Sequence, residues 1–155
     1  MQFVSRMIAS GFGSGFAPVA PGTVGSLAAL GLGALMLVGP GWVLPFAIVL
    51  ATLAGLWAIG PAGGGDDPGW VTIDEFAGQW VALLPLASPS PLGLAAAFVL
   101  FRLFDITKPG PVGWADRQHG AAGVMADDLI AGGIAAAVIW GVQRGWPSLL
   151  SSGLI

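Results

Sequence analysis

Residues 23–60 read TVGSLAALGLGALMLV, then GPG, then WVLPFAIVLATLAGLWAIG, and this stretch decides the fold. The run before the GPG turn has 16 residues without a charge, and the run after it has 19. A membrane-spanning helix needs about 20 predominantly apolar residues, with a lower limit of about 17. The second run meets that length directly, and the first meets it if Pro21 and Gly22 begin the helix. The sequence therefore predicts a hairpin of two membrane helices joined by a tight turn.

The composition of the whole chain favours a membrane protein. Charged residues make up 8% of the 155 residues and apolar residues 55%, and the mean hydropathy is +0.86. An ordinary soluble domain carries about 25% charged residues. The five basic and eight acidic residues are too few to coat a soluble surface of this size. We expect one membrane domain over residues 1–155, inserted by its internal apolar segments because residues 1–10 lack a signal-peptide pattern.

Charge and residue usage exclude several classes of protein. The net charge is −3 at pH 7 without a basic cluster, which disfavours nucleic-acid binding because phosphate contacts need clustered Lys and Arg. The absence of cysteine excludes disulfides, zinc thiolate sites, iron–sulfur clusters and a cysteine nucleophile. His119 is the single histidine, which excludes a two-histidine phosphatase mechanism. It could act as an acid or base near neutral pH, but we expect a solvated loop histidine.

Three further apolar runs complete the predicted helices. They cover Val71–Ala87, Leu92–Phe104 and Val124–Val142. Pro147 is expected to close the last helix, and residues 112–123 are polar and are expected to form a loop. The predicted fold is an all-α polytopic membrane bundle of about five short apolar helices.

The basic residues predict the orientation of this bundle. If Arg6 lies in the cytoplasm, alternate crossings of the membrane leave Arg144 on the outer side. The other cations then share the cytoplasmic side, as the positive-inside rule expects: Arg6, Arg102, Lys108 and Arg117. The acidic loop at residues 66–75 lies on the same side.

The acidic residues are concentrated in one part of the chain, because all eight lie between residues 66 and 128. Two adjacent pairs, Asp74-Glu75 and Asp127-Asp128, come near the predicted cytoplasmic starts of two apolar helices. Ionisable groups at such positions are costly and are candidates for function. The alternative is that these acids cap helix N-termini, where carboxylates are favoured.

The two carboxylate pairs together could hold a metal ion. Neighbouring residues on a helix point about 100° apart, so a single pair cannot chelate a small ion by itself. Two pairs on neighbouring helices could supply several oxygens to one or two ions. Oxygen ligands without His or Cys favour Mg²⁺, which binds jointly with substrate phosphate.

Basic and acidic residues interleave between residues 102 and 117. Arg102, Lys108 and Arg117 alternate there with Asp105 and Asp116. The cations could hold a phosphate group while a metal ion neutralises it, and the alternative is ordinary anchoring of helix ends by positive charge. Asp105 and Lys108 would share a helical face if the helix continued that far.

A glycine-rich stretch precedes the first long apolar run. It reads GFGSG at residues 11–15 and is followed by PGT at residues 21–23. A helix that starts after such a loop offers an anion site, although the Gly-Lys-Ser/Thr of a P-loop is absent. A flexible connection without a ligand is the alternative.

Four segments, taken in order, resemble the phosphatidylglycerophosphatase A family of bacterial membrane lipid phosphatases. The segments are GFGSGFAPVAPGTVGS (11–26), DPGWVTIDEFAG (67–78), FRLFDITKPGP (101–111) and WADRQHGAAGVMADD (114–128). The resemblance implies Mg²⁺-dependent hydrolysis of phosphatidylglycerophosphate to phosphatidylglycerol and phosphate, in phospholipid biosynthesis. It also implies a multi-pass protein of the bacterial inner (cytoplasmic) membrane, with the active site on the cytoplasmic side and a bilayer phospholipid as partner.

The resemblance further implies roles for residues at the matching motif positions. The implied catalytic residues are Asp74, Glu75, Asp105 and Asp128. The implied phosphate-binding residues are Thr23, Arg102, Lys108 and Arg117. The implied Mg²⁺ ligands are Asp74, Glu75, Asp127 and Asp128. The nucleophile stays open between a water molecule and a carboxylate that forms a covalent aspartyl-phosphate.

Two other classes of function compete with the enzyme. A small transporter or channel could use the acids as a cation site, but coupling sites favour the middle of the bilayer and these acids lie near helix ends. A structural or assembly protein of the membrane is the third class. Phosphate release from the lipid by the purified protein separates the three, and the sequence identifies no protein partner.

Overall fold

The structure is a computed structural model that describes residues 1–146, and this part of the chain is helical without strands. The all-α class is therefore confirmed. The described residues form seven α-helices and a short 3-10 helix at Ser14–Phe16. The α-helices are α1 Gln2–Ala9, α2 Pro21–Val38, α3 Val43–Ala62, α4 Ile73–Leu83, α5 Pro91–Thr107, α6 Pro111–Asp116 and α7 Gly120–Gly145. Pro147 and the end of the expected domain at residue 155 lie outside the described residues.

Five of these helices correspond to the predicted apolar runs. The short helices α1 and α6 bring the α-helices of residues 1–146 to seven, so the predicted count of about five is not confirmed. α2 begins at Pro21, as the length argument required. The expected loop at residues 112–123 is wrong, because it contains most of α6 and the start of α7. The small residues of Gly120–Gly123 carry no apolar pattern that would predict a helix. Gly123 is needed here because a Cβ at this position would overlap the carbonyl oxygen of Gln118.

The outer surface of the bundle is apolar. α2, α3 and α7 are long and apolar enough to cross a membrane. Large side chains on α2 and α3, such as Leu35 and Phe46, are exposed. In water, an apolar surface of this extent would be a liability, whereas lipid covers it without cost. The chain therefore has the surface of a membrane protein.

The short helix α4 lies at the centre of the bundle and packs against α2, α3, α5 and α7. Nine of its 11 residues are buried. The indole Nε1 of Trp80 donates a hydrogen bond of 2.8 Å to the carbonyl oxygen of Ala29 in α2. Because Asp74 and Glu75 stand in the first turn of α4, this central position carries both acids into the bundle.

Glycines allow α4 and α7 to cross in backbone contact. A Cβ added to Gly132 would overlap the carbonyl oxygen of Gly78, and one added to Gly78 would lie 2.6 Å from the carbonyl oxygen of Asp128. Small residues at helix crossings permit this approach in membrane bundles. Gly78 and Gly132 each follow an acid, Asp74 and Asp128, by about one helical turn. The crossing therefore brings the two acids together.

Candidate active site

The crossing of α4 and α7 positions both predicted carboxylate pairs inside the protein. Asp74, Asp127 and Asp128 are 6%, 4% and 3% exposed. Asp74 and Glu75 begin α4 as predicted, but the prediction that Asp127 and Asp128 begin the last helix is wrong. α7 starts at Gly120, about two turns earlier. Helix capping therefore does not explain Asp127 and Asp128, because it concerns the N–H groups of the first turn.

Five carboxylates from three helices converge at this point. Oxygens of Asp74, Glu75 and Asp128 lie within 4.8 Å of one another, and so do oxygens of Asp105, Asp127 and Asp128. Asp105 joins the cluster from α5, and Asp128 belongs to both groups. Such a set of hard oxygen donors suits Mg²⁺ or a similar divalent cation.

Several of these oxygens are buried without a hydrogen-bond partner. They are Asp74 Oδ1, Glu75 Oε2 and Asp128 Oδ2. A buried charged oxygen without a partner costs several kcal/mol, so buried carboxylates are normally paired or bind a metal ion. The donor set and its unpaired oxygens therefore fit a divalent cation.

Arg102 connects α5 to the neighbouring helices beside the cluster. Its Nη1 lies 2.6 Å from Asp105 Oδ2 and 3.6 Å from Glu75 Oε1. The same nitrogen donates a hydrogen bond of 3.3 Å to the Ser26 hydroxyl in α2. Arg102 Nη1 thus contacts side chains of α2, α4 and α5 at the edge of the acidic cluster.

Lys108 forms a second cationic contact at the end of α5. The helix ends at Thr107, and Lys108 adopts a left-handed conformation with a φ of 45°. Its Nζ lies 2.5 Å from Asp116 Oδ1 and 2.6 Å from Asp127 Oδ2. Partial burial lowers the pKa of Lys108, but the bonds to both carboxylates outweigh burial and raise it above its ordinary value. Lys108 therefore stays charged. Because α5 ends at Thr107, Lys108 does not share a helical face with Asp105.

A polar cavity of about 350 Å³ opens next to the cluster. Its polar lining comes from the loop before α4 and from the region around the start of α7: Asp66, Asp67, Asp116, Gln118, His119 and Asp127. Asp127 belongs to both the cavity and the carboxylate cluster, so the cavity gives the cluster access to water. His119 is exposed at the N-cap of α7, as expected for a loop histidine.

The remaining predicted phosphate ligands lie at the margin of the site. Thr23 is half-buried in the first turn of α2, directly after Gly22, which lies against Glu75 and Arg102. Arg117 is exposed at the end of α6 and forms no ion pair within residues 1–146. The structure thus gathers Arg102 and Lys108 around the acids, puts Thr23 next in sequence to Gly22 at the edge of the cluster, and leaves Arg117 outside the ion pairs of residues 1–146.

Sequence reasoning missed Gln79. This side chain is fully buried in α4, and neither of its amide atoms has a hydrogen-bond partner. Gln79 follows Glu75 by four residues and so shares its helical face. The sequence did contain a signal for Gln79, because an uncharged polar residue stands there one helical turn after an acidic pair. The signal was overlooked because the rest of this run is apolar.

Comparison with known proteins gives a consistent result. The sequence model for phosphatidylglycerophosphatase A matches residues 7–143. A protein of Escherichia coli K12 with that name is 38% identical over 146 residues, covering 92% of this chain and 85% of the relative. A protein of the same name from Haemophilus influenzae is 38% identical over 144 residues, covering 89% and 88%.

A third relative carries a different name. It comes from Bacteroides thetaiotaomicron, is provisionally named a phosphatidylinositol-3-phosphatase, and is 39% identical over 144 residues. The match covers 84% of this chain and 88% of that relative. No solved structure matches the chain significantly.

Proposed function

Because the chain belongs to the phosphatidylglycerophosphatase A family, we propose that it hydrolyses the phosphate monoester of phosphatidylglycerophosphate. Water adds to phosphorus, the bond from phosphorus to the glycerol oxygen breaks, and the glycerol oxygen takes up a proton. The products are phosphatidylglycerol and inorganic phosphate. The observation that carries the proposal is the buried cluster of carboxylates flanked by two cations.

The cluster is proposed to hold Mg²⁺ through Asp74, Glu75, Asp127 and Asp128. When bound, Mg²⁺ supplies charge neutralisation for phosphoryl transfer. The unpaired oxygens of Asp74 and Asp128 support this assignment, because a cation would satisfy them. With Asp105 and Glu75, these acids are also the proposed catalytic residues.

Arg102 and Lys108 are proposed to bind the phosphate of the substrate. Both are held in place by carboxylates, so little side-chain entropy is lost when an anion binds. The first turn of α2, where Gly22 lies against Glu75 and Arg102, is proposed to add backbone N–H groups and the Thr23 hydroxyl. Arg117, which is exposed, is proposed to draw the anionic headgroup towards the site by its charge.

The proposed location is the bacterial inner membrane, with the site on the cytoplasmic side. The apolar helices support membrane insertion. Arg102 lies in the second half of α5, Lys108 directly follows α5, and Arg117 directly follows α6. Arg144 lies at the opposite end of α7 from Arg117. This distribution fits the positive-inside rule. The proposed partner is the phospholipid substrate, and no nucleic-acid partner is proposed. The chain is proposed to form a single domain.

The function is tested by phosphate release from defined lipids. The protein, purified in detergent, should release phosphate from phosphatidylglycerophosphate with Mg²⁺ and lose that activity in excess chelator. Phosphatidylinositol 3-phosphate serves as the comparison substrate, because one relative carries that name. Asp128→Asn is the inactive control. Release no faster than this control would overturn the proposal, and cation flux into vesicles without release would favour a transporter.

A further inference from the structure

We propose that the carboxylate cluster forms two adjacent divalent-cation positions that share Asp128. The first position is formed by Asp74, Glu75 and Asp128. The second is formed by Asp105, Asp127 and Asp128. This inference rests on the proposed function for the presence of a divalent ion, and it concerns the number of ions and the ligands of each.

The geometry permits both positions at once. Oxygens that bind one Mg²⁺ lie about 2.0–2.1 Å from it, so opposite ligands are about 4.2 Å apart. The oxygens of each group lie within 4.8 Å of one another, so small side-chain rotations close the site. A carboxylate has two oxygens, and two-metal sites hold ions about 3.5–4 Å apart. Asp128, common to both groups, is therefore suited to bridge them.

The unpaired buried oxygens give an observation independent of the clustering. Asp74 and Asp128 are more than nine-tenths buried, and each has one oxygen without a partner. Arg102 pairs with Glu75 and Asp105 and makes no ion pair with Asp74 or Asp128. Asp74 and Asp128 thus lack a protein cation within residues 1–146 and need an external one.

The two positions differ in their access to solvent. Asp127 lines the polar cavity, so the second position is reached from water, and Lys108 Nζ, 2.6 Å from Asp127 Oδ2, competes there with an ion. The first position lies between α4, α7 and the start of α2, and Asp74 and Glu75 do not line this cavity. We therefore expect sequential binding, with the first position filled at the lower concentration of ion.

The experiment counts ions with Mn²⁺ as the probe. The full chain in detergent, freed of metal by chelation, is dialysed against Mn²⁺ and analysed for bound metal and by electron paramagnetic resonance. The wild type should hold two Mn²⁺ per chain with a spin-coupled signal. Glu75→Ala and Asp105→Ala should each hold one Mn²⁺ with an uncoupled six-line signal, and each variant keeps one carboxylate beside Arg102. Asp66→Asn, outside both groups, should hold two.

Two results would overturn the two-ion centre. They are one Mn²⁺ per wild-type chain at saturation, or full loss of Mn²⁺ from either alanine variant while circular dichroism shows an intact helical fold. Phosphate release with a single bound ion would leave the proposed function standing and refute only this inference. Two bound ions without phosphate release would support the centre and refute the proposed function.

Discussion

Gly22, in the first turn of α2, lies directly against the carboxylate of Glu75 in α4. A Cβ added to Gly22 would overlap Glu75 Oε1 and would lie 3.4 Å from Arg102 Nη2. The absence of a side chain at this position lets the carboxylate remain between the start of α2 and the guanidinium group. The glycine of the PGT motif therefore shapes the wall of the site.

Gly22→Ala should impair activity without unfolding the protein. The overlap falls on the end of a flexible side chain, so Glu75 moves while the backbone stays. We expect the rate of phosphate release to fall at least tenfold, which corresponds to about 1.4 kcal/mol. Gly31→Ala is the matched control in the same helix, since its added Cβ meets nothing within 4 Å. Equal rates for the two variants would contradict a role of Gly22 in positioning Glu75.

Gly132→Ala should damage both stability and ion binding. The added Cβ would overlap the backbone carbonyl of Gly78, which cannot rotate away, so α4 and α7 must separate. Overpacking of this kind costs about 1–3 kcal/mol, and separation also parts Asp74 from Asp128. Thermal unfolding and Mn²⁺ dialysis measure the two effects. Gly133→Ala, with an exposed glycine and no neighbour within 4 Å, should behave like wild type.

Lys108→Ala should weaken phosphate handling. It removes a charge-assisted hydrogen bond, worth roughly 1.5–3 kcal/mol, and leaves Asp116 and Asp127 without their shared cation. We expect kcat/KM for the lipid to fall at least tenfold, with partial rescue by Lys108→Arg. Arg144→Gln, which removes a cation stacked on Trp140 at the far end of α7, should leave the kinetics unchanged. Unchanged kinetics in Lys108→Ala would contradict phosphate binding by Lys108 and leave only a role in anchoring the end of α5 by its positive charge.

Asp74→Asn and Asp128→Asn should each abolish most activity, and the double variant should be little worse than either single one. Groups that act as one catalytic unit are strongly non-additive. Each change also removes a buried charge that lacks a hydrogen-bond partner on one oxygen, so metal-free stability should rise. Turnover and thermal unfolding without metal measure both effects. Normal turnover with stability lowered by about 0.5–2 kcal/mol, the usual cost of a lost cap, would instead identify Asp74 as a helix cap.

The sequence predicted those parts of the fold that depend on length and local pattern. α2 and α3 are long uncharged runs, and the acids of α4 follow a loop rich in Gly, Pro and Asp. α1 and α6 were not predicted because helices of eight and six residues depend on packing for their stability. α7 was predicted to start too late, because its first turn consists of small residues and two acids interrupt the apolar run.

The site was predicted in its residue types and only partly in its arrangement. The meeting of the two carboxylate pairs was predicted, although Asp127 and Asp128 lie about two turns inside α7 and not at its end. The resemblance placed Asp105 among the catalytic residues, but the sequence pattern alone could not, because the position of Asp105 depends on the rotation of α5 about its axis. The burial of Gln79 depends in the same way on which side of α4 faces the bundle.

The central place of Asp128 also sets an order of events during synthesis. Asp128 lies in α7, the last helix of the described residues, while Asp74 and Glu75 lie in α4. A ribosome adds about 5–20 residues per second, so α4 is synthesised seconds before its partner helix exists. During that interval its acids have no α7 beside them and no complete carboxylate cluster. A nascent chain arrested before α7 therefore carries α1–α6 without Asp127 and Asp128, and the cluster is complete only when α7 packs against α4.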